Sequence, residues 1–248
     1  MLYNENQNGT RASELFPSLW GNPEDLERAT SSCLTRVFLR MFAALLVTAA
    51  TSFAVVNSRT MLTMLFSNYY AFLALVIAQL ILVIAISARI HKISATTANI
   101  MFFAYAIMNG LTLSVIFLMY DIGVIYHAFA VSALMFAGIA LYGAITHRDL
   151  TSIGSICFMG LIGIIIASLV NVFLRSDMMD IIISYVGVVV FVGLTAYDTQ
   201  RIKRMLADAN ASSHTEAIKK ISVLGALTLY LDFINLFLKL LRIMGRRK

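Results

Sequence analysis

Two aspartates, Asp198 and Asp232, are the residues of this chain best suited to chemistry. Asp232 lies in the middle of the apolar stretch 221–244, and Asp198 ends another apolar stretch. A carboxylate at this depth in a bilayer is costly, so Asp232 is expected to face protein or water. If the two side chains approach each other, they cannot both ionise cheaply. They would share a proton at low pH and attract a cation once that proton is lost.

Basic residues close to Asp198 in sequence or topology are candidates for its partner. An acid at the carboxyl end of a helix is disfavoured by the helix dipole and attracts a cation. Arg89 ends the second span and can supply that cation if the helices are adjacent, while Arg201 and Lys203 compete from the following turn. Two structural alternatives stay open. Asp198 could be an interfacial acid neutralised by basic neighbours, and Asp232 could be a tie to another helix.

The last span carries a polar stripe that must position Asp232. Its members recur at steps of three and four residues, which places them on one helical face: Gly225, Thr228, Asp232, Asn235, Lys239 and Arg242. A helix surrounded by lipid would not carry this stripe, so we predict that the last helix lies at the centre of a bundle. Thr228 and Asn235 are candidates to line a polar path. Phe233 and Phe237, beside the stripe, are candidates for a hydrophobic constriction.

The composition is that of a membrane protein. Of its 248 residues, 60% are hydrophobic and only 13% are charged, and the mean hydropathy is +0.84. Besides 221–244, six apolar runs have about the length that a bilayer requires: 37–56, 69–88, 99–119, 123–145, 153–174 and 179–198. We predict an all-α polytopic membrane protein with seven transmembrane helices. Asn109 and Asn171, inside spans, are expected to form interhelical hydrogen bonds.

The chain divides into a polar amino-terminal tail, 1–36, and a transmembrane domain, 37–248. Within the tail, Asn22 and Pro23 followed by two acids predict the start of a short helix. The positive-inside rule favours a cytoplasmic amino terminus. With seven spans, that side holds the following residues: Arg11, Arg28, Arg36, Arg89, Lys92, Arg148, Arg201, Lys203, Arg204, Lys219 and Lys220. The opposite loops hold only Arg59 and Arg175, although the basic carboxyl terminus would also lie outside.

Other function classes find little support in the sequence. The net charge of +6 follows from basic residues beside spans, so membrane topology explains it better than nucleic-acid binding. The four histidines have no metal-ligand spacing, and no catalytic or nucleotide-binding motif occurs. We therefore expect no enzyme and no cofactor. Calcium takes six to eight oxygen ligands. Two carboxylates with Asn235, Thr228 and water suit weak, transient occupancy by this ion.

Three segments resemble the Bax inhibitor-1 family, also described as LFG-like or YccA-like proteins. They are GLTAYDTQRIK around Asp198, GALTLYLDFINLFLKLLR around Asp232 and the loop Ser87–Ser94. The resemblance covers about residues 30–246, and it is greatest to bacterial inner-membrane members. It implies six helices in two three-helix layers around the last helix, and a pH-sensitive calcium leak. Asp198 and Asp232 match the family's proton-sensing pair.

The resemblance also assigns roles on the second span. Arg89 matches the arginine that latches to the first aspartate. Some relatives carry an acid about ten residues before it, where this chain has Gln79. Gln79 is therefore a candidate to line the path, although cation entry that depends on that acid is in doubt.

Two functions follow as hypotheses. The first is a passive, proton-regulated leak channel for calcium in the inner (plasma) membrane, gated by the aspartate pair and Arg89. The second is a regulator that binds a membrane-protein quality-control protease, without transport activity. The polar tail, 1–36, would serve the second function, because a channel does not need it.

Overall fold

The protein is described by a computed structural model that covers residues 23–67, 69–211 and 215–245. Over these ranges the chain forms helices and no strands. They are α1 (Pro23–Asn57), α2 (Arg59–Phe66), α3 (Tyr69–Arg89), α4 (Ala95–Met119), α5 (Ile122–Ile145), α6 (Thr151–Leu174), α7 (Asp177–Ala211) and α8 (Thr215–Met244). All but α2 are long and apolar enough to cross a membrane, which makes 7 candidate spans. The predicted all-α polytopic fold is confirmed.

Helix α1 begins at Pro23, with Glu24 and Asp25 in its first turn. This start agrees with the capping sequence, because proline suits the first helical position and acids suit the positive end of the helix dipole. The helix then continues to Asn57 without a break. Residues 23–36 are therefore the first turns of the first span, and they do not form a separate short helix. The remainder of the predicted tail, 1–22, lies outside the described residues.

Helix α7 extends well beyond the apolar run 179–198, as far as Ala211. The added turns contain no glycine or proline, and Ile202, Leu206 and Ala209 are buried at helical spacing. Apolar packing on one face therefore continues the helix past the hydrocarbon core. The basic residues Arg201 and Arg204, which follow the apolar run, lie on this helical extension and not in a loop.

Helix α8 packs against α7, α1, α5 and α4. In its most apolar 18-residue stretch, 67% of the residues are buried inside the protein. In the corresponding stretches of α3 and α6, only 11% are buried. The large apolar surface of those two outer helices is what a bilayer would cover. The arrangement of six helices as two three-helix layers around the last one stays a prediction.

Hydrogen bonds between chain segments define the two ends of the bundle. At one end Asn210 donates to Thr30, and Glu216 accepts from the backbone N–H of Ala95. The basic loops and helix ends meet here, so we call it the basic end. At the opposite end Arg242 of α8 contacts Asp180 of α7, with 2.7 Å between Nη1 and Oδ1.

Candidate functional site

The polar stripe of α8 faces α7 along the length of the bundle. Toward the basic end, Gly225 lies against the side chain of Ile202. In the middle, Asp232 contacts Asp198. Further along, the aliphatic stem of Lys239 lies on α7, and Arg242 makes its ion pair with Asp180. The spacing of the stripe thus identifies one helix–helix contact, which we call the α7–α8 seam.

The carboxyl groups of Asp198 and Asp232 lie next to each other. If one of them carries a proton, it can donate a hydrogen bond to the other. Asp232 is only 6% exposed, and its Oδ2 is buried with no hydrogen-bond partner among the described residues. Asp198 is half-buried. Within the pair, the Asp232 carboxyl group is therefore shielded from water, and the Asp198 carboxyl group lies nearer the surface.

A polar cavity of about 290 Å³ reaches Asp198 from the basic end. Its lining includes Ser87 of α3, Arg201 of α7, and Gly225 and Thr228 of α8. The volume has room for several water molecules. Asp198 is thus in contact with a space that can hydrate it, whereas Asp232 lies behind it.

The other predicted polar residues of the stripe make hydrogen bonds within α8. The Thr228 hydroxyl lines the cavity and donates to the backbone carbonyl of Leu224, and its oxygen can still accept. The Asn235 side-chain N–H donates to the carbonyl of Leu231, one turn away, so its Oδ1 is not used in that bond. Among the residues described, no group of three or more His, Cys, Asp and Glu side chains could hold a metal ion.

Arg89 is exposed, and no ion pair joins it to Asp198 in the described part of the chain. The cation whose charge acts on Asp198 is Arg201, three residues further along α7. Ser87, two residues before Arg89, does line the cavity beside Asp198. The end of α3 therefore borders the site, although the latch implied by the family resemblance is not formed in this structure.

Gln79 lies away from the seam. Its side-chain amide is buried and donates to the carbonyl of Met108 and to the hydroxyl of Thr112, both on α4. An amide inside a membrane needs such partners. Gln79 therefore ties α3 to α4.

Phe233 and Phe237 also point away from the seam. Both rings pack edge-to-face against Phe129 of α5, at centroid distances of 5.5 and 6.0 Å. Phe233 packs against Phe136 as well. The two rings fasten α8 to α5 and do not border the polar contact with α7.

A buried network around Tyr230 was not anticipated from the sequence. Asn109 of α4 donates to the Tyr230 hydroxyl at 2.8 Å. The Thr48 hydroxyl of α1 donates to the backbone carbonyls of Ala44 and Ala106, so the Tyr230 hydroxyl donates to Thr48, at 2.6 Å. The expected interhelical role of Asn109 is confirmed. Tyr230 lies inside a span, two residues before Asp232, and a buried phenol hydroxyl usually needs a hydrogen-bond partner. That position could have indicated the network from the sequence.

Other residues of the GLTAYDTQRIK segment hold the α5–α6 loop. The Gln200 amide donates to the carbonyl of Arg148 and accepts from the N–H of Leu150. Lys203 donates to the Ala144 carbonyl near the end of α5, at 2.8 Å. These contacts fix the helix that carries Asp198 against the loop between α5 and α6.

Asp149 adds a further contact between the α5–α6 loop and α7, outside the spans. The Thr151 hydroxyl and then the Thr151 N–H donate to its carboxylate, and Arg204 contacts it at 3.0 Å. These donors hold the pKa of Asp149 below its usual range. Hydrogen bonds to the charged form are the main cause.

Comparisons with known proteins agree with the family resemblance. The model of the family described as inhibitor of apoptosis-promoting Bax1 matches residues 30–248. Inner membrane protein YbhL of Escherichia coli K12 is 47% identical over 215 residues, which are 87% of this chain and 92% of that protein. An uncharacterised protein of Borreliella burgdorferi is 46% identical over the same shares of the two chains. This protein therefore belongs to the Bax inhibitor-1 family of membrane proteins.

Proposed function

We propose that this protein is a proton-sensitive leak path for cations, with calcium as the ion, through the inner membrane. The observation that carries the proposal is the adjacent carboxyl pair Asp198–Asp232, with Asp198 lining a cavity that also holds Arg201 and Thr228. A carboxyl pair in this position can exchange a proton with water through Asp198 and can attract a cation from the same water.

The charge of the pair controls the path. With the shared proton in place, the pair carries one negative charge, and the hydrogen bond keeps α7 and α8 together. Loss of that proton leaves two carboxylates in contact, which repel each other in a medium of low dielectric. A divalent cation relieves this repulsion by lying between them. Higher pH therefore favours cation entry, and lower pH favours the closed seam.

The half of the seam beyond the pair is closed. The stem of Lys239 covers Gly187, and Arg242 is paired with Asp180. A cation leaving the pair in that direction meets the Lys239 ammonium first. Electrostatic repulsion scales with ionic charge, so this barrier is higher for a divalent ion than for a monovalent one. Opening requires α7 and α8 to separate along this half.

The basic end is proposed to face the cytoplasm. The relative named inner membrane protein YbhL supports the location, and the lysines and arginines beside the spans support the orientation. The cavity at Asp198 then opens to the cytoplasm, and the closed half of the seam faces outward. The proton that the pair shares is exchanged with the cytoplasmic side.

Calcium flux into proteoliposomes tests the proposal. Wild type, Asp198→Asn, Asp232→Asn and Asp25→Asn are compared in mildly acidic and mildly alkaline buffer. We expect wild type and Asp25→Asn to leak faster at alkaline pH, because Asp25 is exposed in the first turn of α1 and takes no part in the α7–α8 seam. Both seam variants should lose the pH dependence. Fluxes equal to those of empty liposomes for all four proteins would overturn the channel and favour the alternative role as a regulator of a membrane protease.

A further inference from the structure

A long cleft separates α1 from α5. Both helices pack against α8, but they hardly touch each other. Three hollows follow one another along this gap, with volumes of about 290, 440 and 770 Å³. The first two share Leu45, Phe129 and Phe233. The second and third share Phe38 and Ala144, so the cleft is continuous.

The inner two hollows are almost entirely apolar, whereas the third has charged side chains beside a lining that is otherwise mainly apolar. Rings of Phe129 and Phe233 form much of the inner wall. The third hollow, which we call the mouth, lies at the basic end. Its charged and titratable lining residues are Glu27, His147, Lys203 and Asp208. An apolar cleft that ends in a mouth with charged side chains suits an amphiphile, whose hydrocarbon chain would enter the bundle while its headgroup stays at the surface.

The width of the cleft favours an acyl chain over a partner helix. An α-helix with its side chains is about 10 Å across. Side chains from three helices border the passage between the two apolar hollows: Leu45, Phe129 and Phe233. A flexible hydrocarbon chain can follow the narrow gap past Phe129, whereas a helix would have to push α1 and α5 apart.

The mouth has charges of both signs. Lys203 donates to the Ala144 carbonyl, and its ammonium has three N–H donors, so two are left for a phosphate. The carboxylate of the exposed residue Glu27 lines the same hollow and can attract an amine. A zwitterionic headgroup satisfies both groups, while a purely anionic one would face this carboxylate.

We propose that the α1–α5 cleft is a binding site for a zwitterionic phospholipid of the phosphatidylethanolamine type. One acyl chain lies along the inner hollows against Phe233, and the headgroup lies in the mouth near Lys203. The site is separate from the α7–α8 seam and does not depend on the leak function. Because Phe233 directly follows Asp232, the bound chain would support α8 on the side that α7 does not cover.

Native mass spectrometry after detergent exchange tests this site. The protein is purified from membranes that contain phosphatidylethanolamine and phosphatidylglycerol. The cleft variant is Ala137→Trp, since Ala137 is exposed and lines the middle hollow. Leu134→Trp is the matched control, because Leu134 lies on the same helix, is 76% exposed and does not line the cleft. Lys203→Met tests the headgroup contact.

We expect wild type and Leu134→Trp to retain a phosphatidylethanolamine. Ala137→Trp should retain it roughly tenfold less, since displacing about two methylenes from an apolar site already has that effect. Lys203→Met should lose the preference for this headgroup. The site is wrong if wild type retains no phospholipid, or if folded Ala137→Trp retains as much as wild type. If wild type retains more phosphatidylglycerol than phosphatidylethanolamine, the assignment of a zwitterionic headgroup is wrong, whatever the variants show.

Discussion

The side chain of Lys239 lies directly on the backbone of Gly187. A Cβ atom at position 187 would lie 3.0 Å from three carbon atoms of the lysine stem, so any larger residue here would have to displace that stem. This contact places a cation on the α7–α8 seam, between the aspartate pair and the ion pair of Arg242 with Asp180. It follows that the outer half of the proposed path is closed both by packing and by charge.

Lys239→Met tests the barrier that this contact forms. Methionine keeps the length and the apolar stem but removes the charge, so we expect a faster calcium leak and a smaller increase in sodium leak. Lys239→Arg keeps the charge and should leak like wild type. Fluxes of both ions in proteoliposomes provide the measurement. An equal increase for calcium and sodium would show that packing alone closes the seam.

The hydrogen bonds of the Tyr230 hydroxyl predict that Tyr230→Phe lowers the free energy of unfolding, whereas the same change at Tyr105 does not. Tyr230→Phe leaves Thr48 and Asn109 without their shared partner inside the bundle. We expect destabilisation of about 1 kcal/mol, the usual size of a buried hydrogen bond in a membrane protein. Tyr105 stacks edge-to-face on Tyr230, at 5.8 Å, and its hydroxyl makes no hydrogen bond within the described chain.

Tyr105→Phe is therefore the control for that experiment and should change stability little. Denaturant unfolding in mixed micelles, monitored by circular dichroism, compares the two variants with wild type. If Tyr105→Phe is as destabilising as Tyr230→Phe, loss of the hydroxyl network is not the cause.

Two glycines of α5 make opposite predictions. A Cβ at Gly143 would clash with the carbonyl oxygen of Ala196 on α7, two residues before Asp198, whereas a Cβ at Gly138 meets nothing within 4 Å. Gly143→Ala should push the helices apart and destabilise the protein by about 1–3 kcal/mol. Gly138→Ala should be neutral or stabilise by up to about 1 kcal/mol through helix propensity.

Thermal unfolding of the two alanine variants in the same detergent measures this difference. A Gly143→Ala variant as stable as Gly138→Ala would contradict the close crossing of α5 and α7. A lower stability of Gly143→Ala together with altered calcium flux would indicate that this crossing also positions Asp198.

The sequence predicted the seam better than its surroundings. Helical periodicity places Asp232, Lys239 and Arg242 on one face whatever the neighbours are, so the stripe could be recognised without a structure. Which helix meets that face depends on the packing of the whole bundle. For this reason the periodicity makes Phe233 a candidate for the path, although its ring contacts α5. Gln79 is a candidate through the family resemblance alone, and its amide contacts α4.

The basic residues near Asp198 show a second limit. The sequence and the family resemblance favour Arg89 as the partner of Asp198, with Arg201 and Lys203 as competitors from the following turn. The extension of α7 to Ala211 decides among them, since it places Arg201 on the same helix as Asp198 and directs Lys203 to the end of α5. Hydropathy alone marks the end of an apolar run, not the end of its helix.

Asp149 predicts a pH dependence at the α5–α6 loop. Its folded-state pKa is lowered, first by the hydrogen bond from the Thr151 hydroxyl. Such a carboxylate contributes stability that is present above its unfolded pKa and lost as the pH falls through its folded pKa. We therefore expect the loop to loosen only in strongly acidic buffer.

Hydrogen exchange of the amides in 146–151 measures that loosening. Asp149→Asn removes the titrating group and serves as the reference at each pH, so the intrinsic pH dependence of exchange cancels. If the ratio of exchange rates between wild type and variant does not change as the buffer becomes acidic, the carboxylate does not hold the loop.

The shared proton of Asp198 and Asp232 is the central claim, and infrared spectroscopy of the protein with isotope-labelled aspartate tests it most directly. The spectra and the calcium flux are recorded on the same proteoliposomes across a pH series. We predict a protonated-carboxyl band in wild type that disappears as the calcium leak begins. In Asp198→Asn and Asp232→Asn the remaining carboxyl group should lose its band at a different pH, because its partner is gone. A band that disappears at the same pH in wild type and in both variants, or a leak that begins while the wild-type band is unchanged, would contradict the account.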